Sequence, residues 1–279
     1  MKESSAKYAG SGEPEREFGP ADALRFFGRA EIKTTVILLY AAFALTLWKY
    51  LPSLPLPPSS PESVGQIEIS RYTQAVGRGA ELLAEGKPLP VSLFLTGELK
   101  SFAALLLMGL IPMGIVKWGF REKLSDYGLS FGNRFTLQSI LIFTPLMIVL
   151  GYWCTGADYA MVYPLNPLAA RAPAGLFRLH LAVYTLCYYL GWEFMFRGFL
   201  LKGLLPKCGP YAAILIQTLA ATMLHFGHPL PETLGCIGGS FFWGGLALRT
   251  KSLLPTWVQH AALGAALDLA IFARIAGTL

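Results

Sequence analysis

The chain has 279 residues, of which 54% are hydrophobic and only 14% charged, where a soluble domain carries about 25% charged residues. The deficit falls in blocks, which excludes an ordinary soluble enzyme or a disordered chain and points to lipid as the outer solvent. The net charge of +6 does not indicate a nucleic-acid partner, because the basic residues are scattered between apolar segments and form no patch.

In chain order, residues 1–20 are rich in Gly, Ser and Glu and read as disordered. Residues 21–33 fit a short interfacial helix with Leu24, Phe26 and Phe27 towards lipid. No cleavable signal peptide is expected, since the first apolar run begins only at Thr34. Spans are expected near 34–51, 101–118, 137–154, 176–205, 211–226, 233–248 and 254–275, each long enough for about 30 Å of hydrocarbon. The proline cluster after Leu54 ends the first, and Gly227 and Pro229 stop the fifth. A helix is expected within the first outer loop, over 63–85. The expected fold is all-α, a polytopic transmembrane helix bundle of six to eight spans. It divides into a cytoplasmic segment (1–33), a scaffold region (34–175) and a region holding the chemistry (176–279). With seven spans and the N-terminus inside, fifteen of the 23 Lys and Arg fall on the inner side, which agrees with the positive-inside rule.

Ionisable residues inside spans cost several kcal/mol unless paired or wetted, so each is a functional candidate. They gather in the last third. Glu193 and Arg197 are four residues apart and share a helix face; a structural ion pair and a functional one are equally open. His225 ends the fifth span, with His228 and Glu232 following; both of these read as loop residues near water. His260 and Asp268 lie two turns apart on the seventh span, with Gly264 between them. His180 reads as snorkelling at the outer edge of span four. Span six carries Gly235, Gly238, Gly239, Ser240, Gly244 and Gly245, a pattern that lets helix backbones approach closely. The four cysteines are isolated and read as apolar thiols. Glu193, His225, His228, His260 and Asp268 are all metal-ligand types, but none sits in a tight metal-binding spacing. No cofactor is therefore expected, and a divalent metal such as zinc is disfavoured.

Three stretches together resemble the CAAX protease and bacteriocin-processing (CPBP) family of intramembrane endopeptidases, which includes the Ras-converting CAAX endopeptidase. They are Trp192-Glu193-Phe-Met-Phe-Arg197-Gly198, Ala221-Thr-Met-Leu-His225 and His260-Ala-Ala-Leu-Gly264. The family motifs are Glu-Glu-x-x-x-Arg, Phe-x-x-x-His and His-x-x-x-Asn or Asp. The resemblance implies a polar cavity within the membrane, where Glu193 and His225 activate a water and His260 stabilises the oxyanion. Arg197 matches the motif arginine, and Trp192, Phe196 and His228 are expected against the substrate. Trp192 stands where the family has its first glutamate, the usual base. Ala221 replaces the phenylalanine, and Gly264 replaces the Asn or Asp, a role that Asp268 one turn on is expected to fill. The Trp-Glu-Phe form and the His-Phe-Gly turn resemble a bacterial subgroup, which favours a rearranged site over an inactive one.

The resemblance thus implies a peptide-bond hydrolase in the inner membrane of a bacterial cell. Its expected partners are the lipid bilayer and a membrane-associated peptide or protein substrate. A non-catalytic scaffold or immunity protein is the alternative, motivated by Trp192 and Gly264. A transporter ranks lower, because no inverted repeat of interrupted spans is evident.

Overall fold

The computed structural model describes residues 29–51 and 71–277. The disorder expected over 1–20, and most of the interfacial helix expected over 21–33, lie outside those residues. The described residues are helical and include no strand. The principal helices are α1 (Arg29–Tyr50), α2 (Arg71–Ala84), α3 (Val91–Gly97), α4 (Leu99–Phe120), α5 (Arg134–Trp153), α6 (Ala174–Leu224), α7 (Leu230–Thr250) and α8 (Leu254–Ile275). Among the described residues, five helices are long and apolar enough to cross a membrane: α1, α4, α5, α6 and α8. The chain is an integral membrane helical bundle.

Large apolar side chains cover its outside. Leu39, Phe43, Leu137, Leu141 and Ile142 are all more than half exposed, which water would penalise and hydrocarbon does not. Trp118 and Trp153 stand exposed near the ends of α4 and α5, the level at which indoles meet the lipid headgroups.

Helix α6 runs for 51 residues, far more than the roughly 20 that one crossing needs. The fourth and fifth spans expected from the sequence are its two arms, which meet at a non-helical break at Gly209. Gly209 has φ 74° and ψ 169°, a conformation that only glycine adopts without strain. Pro210 follows it, so the second arm begins with a residue that needs no amide donor.

The first arm, 174–208, is the axis of the bundle. Residues 191–201 are all buried, as for a helix surrounded on every side by others. Helix α4 crosses it so closely that a Cβ at Gly191 would collide with the Ala104 carbonyl oxygen. Helices α5 and α8 make a similar crossing at Gly151 against the Leu263 carbonyl oxygen. Around the arm, Phe199 stacks on Phe120 and meets Tyr40 edge-on, while Trp48 donates from Nε1 to the Lys100 carbonyl at 2.9 Å.

Polar ties fix the ends. Asn133 caps α5, accepting from the Phe135 amide at 3.0 Å, and its Nδ2 donates to Arg249 O of α7 at 2.9 Å. Lys33 of α1 binds Glu122 just beyond α4 at 2.7 Å. At the opposite end of α1, Lys49 donates to Leu224 O at 2.8 Å and Phe226 O at 3.2 Å, closing the last turn of α6.

Candidate active site

Positions 192 and 193 leave the first arm in different directions, as neighbours on a helix must. Trp192 faces an internal cavity, whereas Glu193 turns towards α8 and does not line it. Glu193 Oε1 accepts from His260 Nδ1 at 2.8 Å and from Arg197 Nη1 at 3.3 Å. Its side chain is fully buried, and Oε2 accepts no hydrogen bond. Wide π-type turns, over 184–189 and 194–202, lie on either side of these residues; such turns interrupt the regular ladder and recur at functional sites. Arg197 is 1% exposed yet lines the cavity, its guanidinium lying 5.5 Å from the Trp243 ring centre.

His225 ends the second arm. Counted along α6, Glu193 and His225 stand equally far from Gly209, sixteen residues on either side. Placing the hairpin at Gly209 therefore brings both to one depth, about 24 Å up each arm at about 1.5 Å per residue. His225 Nδ1 lies 2.8 Å from the Ala221 carbonyl. A carbonyl only accepts, so Nδ1 carries the hydrogen and Nε2 of the neutral ring holds the lone pair. The Trp192 indole meets the His225 ring edge-on at 5.7 Å.

The cavity, about 380 Å³, is lined by Trp192, Arg197, His225 and His260. Tyr163 of the segment after α5, Tyr188 and Tyr189 of α6, and Trp243 of α7 complete its walls. Helix α7 contributes Glu232, Gly235, Cys236 and Gly239, positions that share one helix face. The glycines of span six are expected to draw backbones together, and only part of that holds. Gly244 closes against Gln217 and Ile214 of α6, while a Cβ at Gly235 would meet nothing within 4 Å. The missing side chains at 235 and 239 are space in the cavity.

Two functional candidates escape sequence reasoning. Glu232 reads as a loop residue, yet it stands in the first turn of α7 with its side chain 15% exposed. Its Oε1 accepts from Tyr163 OH at 2.6 Å and from His228 Nδ1 at 2.9 Å, and lies 3.7 Å from His225 Nε2. The signal was present in the tight turn, Gly227 at φ 94° and Pro229, which folds α7 straight back onto His225. Thr233 Oγ1 locks this turn by donating to His225 O at 2.9 Å. Tyr189 is the second. A Cβ at Gly264 would collide with its hydroxyl oxygen, so the absence of a side chain at 264 leaves a place for a phenol.

Other expected residues are placed elsewhere. Asp268 does not join the cavity; its Oδ2 lies 2.9 Å from His180 Nε2. His180 does not snorkel but is fully buried, with Nδ1 2.7 Å from Glu98 Oε1. Two carboxylates inside the bundle give the ring the partners that snorkelling would have sought in water. Phe196 is fully buried and packs on Trp192 at 4.7 Å, away from the cavity lining. His228, with 22% of its side chain exposed, holds Glu232 and lines a neighbouring hollow with Lys49 and Lys100. Among the described residues no group of three His, Cys, Asp or Glu is arranged to hold a metal ion.

Residues 174–266, about a third of the chain, match the family model described as type II CAAX prenyl endopeptidase Rce1-like. The match begins where α6 begins and ends within α8, so it takes in Trp192, Glu193, Arg197, His225, Glu232 and His260. No curated protein and no solved structure matches the chain. The family match and the cavity built from the same residues together support the CAAX protease and CPBP family for this protein.

Proposed function

We propose that the protein is an intramembrane endopeptidase that hydrolyses a peptide bond in a lipid-anchored or membrane-embedded substrate, in the inner membrane of a bacterial cell. One observation carries the reading: His225, from the far end of the α6 hairpin, and His260, from α8, meet with Arg197 in one cavity. A scaffold has no need to gather these groups at one depth, and each is costly in a bilayer unless a site uses it.

His225 is suited to hold the attacking water, since the Ala221 carbonyl holds Nδ1–H and leaves Nε2 as an acceptor facing the cavity. Glu193 acts as a positioning residue that orients His260 and holds Arg197. The oxyanion formed when water attacks the carbonyl needs donors fixed in a dry place. Arg197, the one Lys or Arg among the described residues lining the cavity, and the Tyr189 hydroxyl are donors suited to that role; His260, whose Nδ1–H is held by Glu193, joins them only in its doubly protonated form, which donates from Nε2. The apolar bulk of Trp192, Trp243, Tyr188 and Leu267 gives a lipid-linked peptide a surface that matches it.

The test uses the purified full chain in liposomes with two probes, a fluorescence-quenched farnesylated peptide ending in a Cys-aliphatic-aliphatic-X sequence and an unlipidated membrane-spanning peptide. Cleavage of at least one is expected. His225→Ala is expected to lower kcat by a factor of about 100 or more, as for a reactant no longer held in place, with its elution profile unchanged. A wild-type protein that cleaves neither probe, or a His225→Ala variant with normal turnover, overturns the reading.

A further inference from the structure

Water must give up a proton as it attacks, and the position that supplies the carboxylate in the first family motif is here Trp192, whose indole has no proton acceptor. Glu193 cannot take its place. Its Oε1 is engaged by His260 and Arg197, and the side chain lies outside the cavity lining. A general base must come within hydrogen-bond reach of the proton that it removes. Among the described residues lining the cavity, one carboxylate is present, that of Glu232.

We infer that Glu232 is the general base of this site, reaching His225 from α7 across the cavity from the position that Trp192 occupies. The inference rests on the peptidase reading and deepens it. The two carboxylate oxygens of Glu232 have separate duties. Oε1 is saturated by Tyr163 OH and His228 Nδ1, which fix the orientation of the group. Oε2 is buried and has no hydrogen-bond partner. A buried, unpartnered carboxylate oxygen costs free energy unless something fills its place in use. His225 Nε2, the unprotonated nitrogen of its ring, lies 3.7 Å from Oε1 of the same carboxylate, with the Cys236 thiol also against the ring. That separation exceeds a direct hydrogen bond and leaves Glu232 and His225 as two acceptors beside one another in the cavity.

The step balances without a co-reactant. One O–H bond of water breaks and its proton passes to Glu232 Oε2, while the oxygen forms a bond to the peptide carbonyl carbon. The carbonyl π pair moves onto its oxygen. When that pair returns, the C–N bond breaks, and the proton held by Glu232 passes to the leaving nitrogen. The products are a carboxylic acid and an amine, and the Glu232 carboxylate is restored. His225 holds the water by accepting its second hydrogen at Nε2, and Tyr163 and His228 are positioning residues for the base.

The decisive experiment uses the full chain in liposomes with whichever of the two peptide probes the wild type cleaves. Glu232→Gln keeps the shape and loses the base; kcat is expected to fall by a factor of about 100 to 10,000, as for a lost acid–base group, with KM nearly unchanged. Glu232→Ala opens space beside His225, and added formate is expected to restore at least a tenfold gain in rate. Formate is expected to leave His225→Ala inactive. Turnover in Glu232→Gln within threefold of wild type overturns the assignment, as does a loss in Glu232→Ala that formate does not relieve, which would mark a structural role. A wild type that cleaves neither probe removes the peptidase reading itself, a result distinct from both.

Discussion

Tyr189 owes its place to what is missing at Gly264: any side chain there would collide with its hydroxyl oxygen. The phenol lies 4.6 Å from the His260 ring centre and its hydroxyl is 3.1 Å from that of Tyr184, so removing the oxygen alone tests whether it stabilises developing charge. Tyr189→Phe is expected to reduce kcat by a factor of about 10 to 100, somewhat less than the loss of a main oxyanion donor, with KM and thermal stability little changed. Equal kcat in the two proteins would restrict Tyr189 to packing. This substitution of one residue for another was not legible in the sequence. Motif spacing identifies which positions face each other along one helix, and Gly264 belongs to α8 while Tyr189 belongs to α6. Glu232 escaped for a related reason. Its position after His-Pro-Leu-Pro reads as a solvated loop, and only the fold brings Tyr163, sixty-nine residues away, to its carboxylate.

The elements themselves were more legible, because most spans carry their own apolar length, although α7, where a sixth span is expected, is not among the helices apolar enough to cross. Gly227 and Pro229 end α6, and Leu254 opens α8 as expected from sequence. What the sequence did not give was the angle at which α6 turns back, and here Gly209 decides. Gly209→Ala places a Cβ where the backbone holds φ 74° and ψ 169°, a strain of about 1–3 kcal/mol. The expected outcome is a lower thermal midpoint together with a loss of kcat, since His225 and Glu193 depend on equal arm lengths from that hinge. An unchanged midpoint would mean that the hairpin relaxes around the new side chain. The link from α1 to the end of α4 makes a separate prediction. Burial pushes the Glu122 carboxyl up, but hydrogen bonds from Lys33 and Tyr127 outweigh it and hold the group below its ordinary value. A folded pKa below the unfolded one contributes stability above the unfolded value, and loses it as pH falls through the folded value. Wild-type protein in detergent is therefore expected to lose thermal stability below about pH 4.3, the ordinary glutamate value, more steeply than Glu122→Gln. Parallel pH profiles would count against the link.

At the scale of the whole molecule, the chain separates two solvents, with an apolar exterior against lipid and a polar chamber behind it. The chamber has a direction. His225, Tyr163 and Glu232 all stand at the end of the bundle where α5 finishes and α7 begins, whereas Gly209, Glu122 and Lys251 stand at the other. With Arg197 set aside as a cavity residue, the sequence expectation assigns fourteen of the other 22 Lys and Arg to the side of the N-terminus, which the positive-inside rule would make the cytoplasmic one. We propose on this ground that the chamber lies nearer the non-cytoplasmic face, so that its substrate bond is presented there. In a cysteine-free background, Asp158→Cys is expected to react with a membrane-impermeant maleimide added to intact cells, and Lys123→Cys only after the cells are opened. The reverse pattern would invert the protein and move the site of cleavage to the cytoplasmic face, because the chamber and the Asp158 segment share one end of the bundle.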